Sequence, residues 1–345
     1  MVPLNFTYPG IRRVYYGDHS VDQVGPILSE IKSRKPLIIT NRSVHLEKFY
    51  GLLAGKIDGP YDEFYEITQH SPMEEIEHAT ETFRNKGCDS IITVGGGSVI
   101  DAGKVLRYFY DIDIPQIAIP TTLSAAEFSP SAGYTLALEK TGIIDSRLVP
   151  AYIILDPAAV AETPQKLWRS TGIRAIDHAV ETSILNNENT IAVDFALRSL
   201  SILLSSLGSD TVEMRHRCQL AAWYSYFDIS DSSLGLSHHI GRIIGSKYGI
   251  PHGITSCITL PEVILYYGQK GYPGLTRIAA HLGYFTDDPR KASEFLSALI
   301  RNTIFSLGIS SRLSDFGIAE SDVEYILSKV GGDRGEMRKL LLSMI

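Results

Sequence analysis

"DSIITVGGGSVIDAGKVLRYF", residues 89–109, reads as a strand, a glycine turn and a helix in immediate succession. The apolar, β-branched run before Gly95 has strand character, and three glycines then let the backbone turn sharply. Without Cβ atoms such a turn can also approach a ligand closely. Ser98 is expected to cap the following helix, whose free N–H groups attract phosphate oxygens. A strand-to-helix turn that merely needs glycine is the plainer alternative. The spacing is neither the G-x-G-x-x-G of a standard dinucleotide fold nor a Walker loop, in which lysine directly follows the last glycine.

Outward from this turn the same alternation continues. "RRVYYG" (12–17), "PLIIT" (36–40), "DEFYEIT" (62–68) and "IPQIAIPTT" (114–122) are strand candidates. Between them lie helical segments such as "VDQVGPILSEIKSR", "SVHLEKFYGLLAG" and "SPMEEIEHATETFRNKG". Strands alternating with helices predict a mostly parallel sheet covered on both faces. After "YIILDPAAVAETP" (152–164) strand signals become scarce and helical spacing dominates, as in "TIAVDFALRSLSILLSSLG" (190–208). The expected architecture is an α/β dinucleotide-binding domain over 1–158 followed by an all-α substrate domain over 159–345.

Composition narrows the function classes. The 345 residues carry 32 Lys and Arg against 39 Asp and Glu, a net charge of −7, which offers no basic field for nucleic acid or anionic membrane. Three separated cysteines argue against a disulfide framework. The opening residues lack the apolar core of a signal peptide, and no apolar run nears the roughly 20 residues that span a bilayer. A cytoplasmic enzyme acting on a small molecule is the expectation.

Two further loops accompany the glycine turn. "PTTLSAAEFSP" (120–130) lies at a strand's end, where open α/β sheets bind ligands. "TNRS" (40–43) places Asn41 and Arg42 where dinucleotide folds meet the adenosine ribose. An arginine there permits a 2′-phosphate, and a solvated surface arginine fits the same letters. In the second half, His178, His238, His239 and His252 cluster in two stretches. Arg174 stands one helical turn before His178, and Arg242 one turn after His238.

Taken together, "GGGSVIDAGK" (95–104), "IPTT" (119–122), "KTGIIDSRLVPAYIILDP" (140–157), "GIRAIDHAVE" (172–181) and "GIPHGITSCITLP" (249–261) resemble the iron-type (group III) alcohol dehydrogenases. Within them the maleylacetate reductase-like branch is the most similar. The resemblance implies the dehydroquinate synthase-like fold: a Rossmann-like N-terminal α/β domain, a helical C-terminal domain, and an active site in the cleft between. It implies NAD or NADP as cofactor, with phosphate-binding residues at Gly96, Gly97 and Ser98, then Asp101, Thr121, Thr122 and Lys140. It also implies a possible homodimer. Three metal-ligand positions of the family fall on His178, His238 and His252, for Fe or Zn. The fourth, an aspartate, falls on Arg174, and a proton-relay histidine on Arg242.

A guanidinium beside three imidazoles repels a dication. The expected chemistry is therefore hydride transfer between nicotinamide and a small carbonyl or enoate, in which Arg174 and Arg242 hold a substrate carboxylate. His238 or His252 would supply the accompanying proton. The alternatives are a metal-dependent alcohol or polyol dehydrogenase using the three histidines, and a nucleotide-binding protein with a decayed active site. A dehydroquinate synthase-like lyase would need an acid-plus-two-histidine site and phosphate-clamping cations that this pattern lacks.

Overall fold

In the computed structural model, residues 10–137, 139–186, 190–227, 235–309 and 312–345 are described. The first nine residues lie outside them, as does the end of "RCQLAAWYSYFDIS" (217–230), a stretch expected from its sequence to be helical. The chain divides into an α/β unit, residues 6–164 with 210–220, and a helical unit built from 165–209 and 221–345.

Among the described residues eight strands form: β1 (Arg13–Tyr16), β2 (Pro36–Ile39), β3 (Asp62–Phe64), β4 (Ser90–Gly95), β5 (Gln116–Pro120), β6 (Ser131–Leu136), β7 (Glu139–Ile144) and β8 (Tyr152–Leu155). Helices of the α/β unit are α1 (Val24–Glu30), α2 (Arg42–His45), α3 (Lys48–Ala54), α4 (Met73–Asn85), α5 (Gly97–Phe109) and α6 (Pro157–Val160). Six strands make one parallel sheet in the order β1-β8-β5-β4-β2-β3. Side chains alternate across it with period two. Ile38, Ile92, Ile117 and Ile154 pack beneath α1 and α3 through Val24, Ile27, Phe49 and Leu53. Leu37, Ile39 and Ile91 face α4 and α5 through Ile76, Phe83, Val99 and Val105. Each such fully buried aliphatic side chain contributes about 1.5–3 kcal/mol, and both faces are covered as the alternation predicts.

The strand order creates a switch point. From β2 the chain moves outward to β3, and from β4 it moves the opposite way to β5. Loops leaving the carboxyl ends of β2 and β4 therefore diverge and leave a crevice, the place where open α/β sheets take ligands. Thr40–Asn41 and the glycine turn border that crevice.

Three local expectations are corrected. The helix expected across 43–55 breaks at Leu46–Glu47 into α2 and α3, and Asn41 Oδ1 caps α2 by accepting from Val44 N at 2.9 Å. Strand β3 stops at Phe64 instead of continuing to 68. Between β5 and β8 the chain leaves the sheet to form the antiparallel hairpin β6–β7.

The helical unit contains α7 (Gln165–Leu185), α8 (Thr190–Ser206), α10 (Leu236–Tyr248), α11 (His252–Gln269), α12 (Gly274–His281), α13 (Pro289–Ser306), α14 (Val323–Val330) and α15 (Arg334–Leu342). Helix α9 (Val212–Ser225) begins in the segment assigned to the α/β unit, where Arg215 donates to the carbonyls of Val160 and Thr163, and Gln219 to Asp156. Helix α11 is the hub, packing against α7, α10 and α13. Fourteen of its eighteen residues, all between Gly253 and Gly268, are buried. Among the described residues no helix is long and apolar enough to cross a membrane.

Candidate functional site

In the α/β unit the glycine turn is built by close approach. Gly95 has φ 155°, and a Cβ there would meet Val99 Cγ2 at 2.7 Å. A Cβ on Gly96 would lie 3.1 Å from Thr122 Cγ2, and one on Gly97 3.1 Å from Ser124 Oγ. The β5 loop thus packs directly on the turn, fastened by Thr121 N–H donating to the Gly95 carbonyl at 3.0 Å. Buried Thr122 Oγ1 has no hydrogen-bond partner among the described residues. Helix α5 starts at Gly97 with Gly96 as its cap, so Ser98 is not the capping residue expected from sequence. Its hydroxyl instead accepts from His70 N–H at 3.1 Å.

Asp101, one turn into α5, accepts from Gly133 N–H of the hairpin at 3.0 Å. Lys140 of β7 comes to 3.3 Å from His70 Nδ1. Gly96, Gly97, Ser98, Asp101, Thr121, Thr122 and Lys140 therefore gather around one helix start, while Asn41 stands at the end of β2 and spends its side chain on capping α2. A cradle made by glycines, backbone N–H groups and a lysine fits the phosphates of a dinucleotide.

The helical unit holds a buried charged cluster. Arg174, on α7, is only 6% exposed. Its Nη2 donates to His238 Nε2 at 2.7 Å and its Nη1 to Ser256 Oγ at 2.9 Å. Ser256 donates in turn to Asp177 Oδ2 at 2.6 Å, and Ser237 donates to the same oxygen at 3.0 Å. Asp177 Oδ2 is 3.6 Å from Arg174 Nη1, a buried ion pair one turn along α7. Glu181, a turn further, accepts the N–H groups of Ser237 and His238 and so closes the start of α10. Gly235 permits this, since a Cβ there would stand 2.3 Å from Glu181 Oε1.

The imidazoles of His178 and His238 stack with centroids 5.6 Å apart. Burial, reinforced by the Arg174 charge, holds both well below the usual histidine range, so both rings are neutral at physiological pH. Neither Nδ1 has a hydrogen-bond partner among the described residues. Burial pushes the carboxyls of Asp177 and Glu181 up, opposed by Arg174. His252, half-buried, is the first residue of α11. Arg242 is exposed on α10, near enough to Arg174 and His238 for its charge to act on both.

Residues 11–157 match the iron-containing alcohol dehydrogenase family, and residues 169–338 match the C-terminal domain of the Fe-containing alcohol dehydrogenases. The chain belongs to the iron-containing alcohol dehydrogenase family. A maleylacetate reductase of Delftia acidovorans is 27% identical over 332 residues, covering 93% of this chain and 90% of that one. An NAD-dependent methanol dehydrogenase of Bacillus methanolicus is 23% identical, covering 90% and 89%. Among solved structures, maleylacetate reductase from Agrobacterium tumefaciens superposes with a TM-score of 0.87 at 22% identity, covering 100% of this chain and 99% of that one. A 1,3-propanediol oxidoreductase gives 0.90 at 22%, covering 99% and 100%. The iron-type fold expected from the motifs is shown, and membership makes the protein an NAD(P)-dependent oxidoreductase acting on a small molecule.

The family's metal is a different matter. In this member the lone pair of His238 Nε2 is taken by Arg174, a guanidinium at the position where the resemblance implied an aspartate ligand. Among the described residues, no three His, Cys, Asp or Glu side chains are grouped to hold a metal ion. The donor set does not fit one. Arg174, expected to grip a substrate carboxylate, here donates through one terminal nitrogen to Ser256 and through the other to His238. Glu181, Ser237 and Ser256 were not singled out from sequence, and Asp177 was weighed there only as a substitute metal ligand and set aside. Asp177 at i+3 from Arg174 was the available signal; the two serines come from other helices and carry none.

Proposed function

We propose that this protein is an NAD(P)H-dependent, metal-independent reductase of a small acidic carbonyl or enoate substrate, of the maleylacetate type. The observation that carries this reading is the 2.7 Å hydrogen bond from Arg174 Nη2 to His238 Nε2. Gly96, Gly97, Ser98, Asp101, Thr121, Thr122 and Lys140 hold the cofactor, with Asn41 at the adenosine end. When bound there, the cofactor would supply a hydride to the substrate carbon.

The chain's own residues then manage charge. A neutral imidazole whose Nε2 accepts a hydrogen bond carries its proton on Nδ1. His238 therefore presents an Nδ1–H donor, with a fixed positive charge behind the ring that strengthens it. As hydride arrives, negative charge grows on the carbonyl oxygen, or on the enolate oxygen of an unsaturated keto acid, and this N–H stabilises it. His252, less buried, passes the proton that completes reduction. His178 holds the His238 ring by stacking instead of ligating a metal. Arg242, exposed one turn after His238, takes the substrate carboxylate. The reading includes a cytoplasmic homodimer, which light scattering of the purified protein checks.

The test combines metal analysis of protein purified without chelator with steady-state kinetics on a keto acid and a neutral aldehyde. Substoichiometric metal, activity that survives chelation, and preference for the acid support the reading. Stoichiometric iron or zinc whose removal abolishes turnover overturns it. Cofactor binding without turnover of any aldehyde, ketone or keto acid also overturns it, in favour of a binding protein.

A further inference from the structure

The loop before α4 has an unusual backbone. His70 and Ser71 are consecutive non-glycine residues in the left-handed region, with φ of 70° and 50°. Such conformations are strained for residues with a side chain and persist only where surrounding contacts impose them. Here four hydrogen bonds do so. His70 N–H donates to Ser98 Oγ at 3.1 Å, and Ser71 Oγ donates to the Ser98 carbonyl at 2.8 Å. Thr135 of β6 donates its N–H to the Ser71 carbonyl and its hydroxyl to the His70 carbonyl, both at 3.1 Å. The loop is thereby tied at once to the first turn of α5 and to the hairpin.

The consequence is where the imidazole goes. His70 Nδ1 stands 3.3 Å from Lys140 Nζ. The stem of Lys140 passes beside Gly133, whose added Cβ would be 3.6 Å from Lys140 Cε and 3.8 Å from Asp101 Oδ2. Burial, with the Lys140 charge adding to it, holds the His70 ring down at about 4, so the imidazole is neutral. A neutral ring can accept a hydrogen bond from an ammonium through an unprotonated nitrogen; a charged ring could not.

We propose that His70 is a positioning residue for the cofactor: its Nδ1 accepts one N–H of Lys140 and holds the ammonium at the opening turn of α5, where it meets a phosphate oxygen of NAD(P)H. This rests on the glycine turn being the cofactor's phosphate site. Lysine is a long, flexible side chain, and a bound phosphate would otherwise have to order it. A strained loop that fixes one of its three donors removes that cost before binding.

The experiment is fluorescence titration of NADH and NADPH against the full-length protein and four variants, with thermal unfolding of each. His70→Gly removes the ring while accepting the left-handed backbone. His70→Asn keeps an acceptor near the place of Nδ1. Lys140→Met removes the charge, and the fourth variant combines His70→Gly with Lys140→Met. The expected result is a roughly tenfold weaker Kd for His70→Gly, the size of a lost hydrogen bond to a charged group. Partial recovery is expected in His70→Asn, and the double variant should bind no worse than Lys140→Met alone. Losses that multiply in the double variant, or unchanged binding in His70→Gly, overturn the role of His70. If Lys140→Met binds as tightly as wild type, the positioning idea falls while the glycine turn stands. Failure of the wild-type protein to bind either nucleotide overturns the reading of the turn itself.

Discussion

Replacing Arg174 with Met tests the buried cluster most directly. The substitution keeps much of the side-chain volume but removes the cation that faces Asp177 at 3.6 Å, inside a region where Arg174 is 6% and Asp177 0% exposed. Breaking a buried pair by deleting one partner typically costs about 3–5 kcal/mol, because the remaining charge is left uncompensated. Here Glu181 lies one turn away and compounds the problem, so the upper part of that range is expected at neutral pH. Asp177→Asn in the same chain should recover most of the loss, since the amide still accepts from Ser237 and Ser256 without carrying charge. Urea unfolding of wild type, both single variants and the double variant measures the coupling. A double variant whose destabilisation is the simple sum of the two singles would refute the claim that Arg174 and Asp177 neutralise each other.

Four other outcomes follow from the same geometry. Arg174→Asp frees His238 Nε2 and restores an anionic ligand position, so the variant should take up Zn²⁺ or Fe²⁺ under conditions where wild type does not, as read by metal analysis. Arg242→Ala should raise KM for a keto acid at least tenfold, as expected for losing a charge-assisted contact, and leave a neutral aldehyde nearly unaffected. Gly235→Ala should lower stability by about 1–3 kcal/mol, because its Cβ collides with the Glu181 carboxylate that closes α10. Glu127, buried and with no hydrogen-bond partner for Oε2 among the described residues, is pushed up from its ordinary 4.5 to about 7 by burial. The folded state therefore holds a proton that the unfolded chain has released, and stability falls as pH rises from about 4.5 through about 7. Two and a half pH units at about 1.36 kcal/mol each give an upper limit near 3 kcal/mol. Glu127→Gln should thus stabilise the protein at pH 8 and change little at pH 4, as measured by urea midpoints at the two pH values.

The parts of this fold that announce themselves in sequence are those settled locally. Strand β4, its glycine turn and α5 are one contiguous stretch, and each residue's preference agrees with its place. The hairpin β6–β7 was missed because its strands are half-exposed and mix Ser, Gly, Thr and Lys with apolar residues, so no buried run marks them. At the site, family positions brought Arg174, His178, His238 and His252 to attention. What Arg174 does there depends on Ser256 from α11 and Ser237 from α10, which meet Asp177 only once three helices pack. His70 was invisible for a related reason: nothing in "ITQHSPME" signals that two successive residues will be forced into left-handed backbone by contacts from Ser98 and Thr135.

The guanidinium at the centre of the helical unit is part of the polypeptide. A ferrous ion in the same place can be starved out, stolen by siderophores or burnt by peroxide, and an apoenzyme must wait for its replacement. Arg174 is delivered by the ribosome with every copy, so on the metal-independent reading proposed above the site needs no ion loaded after synthesis.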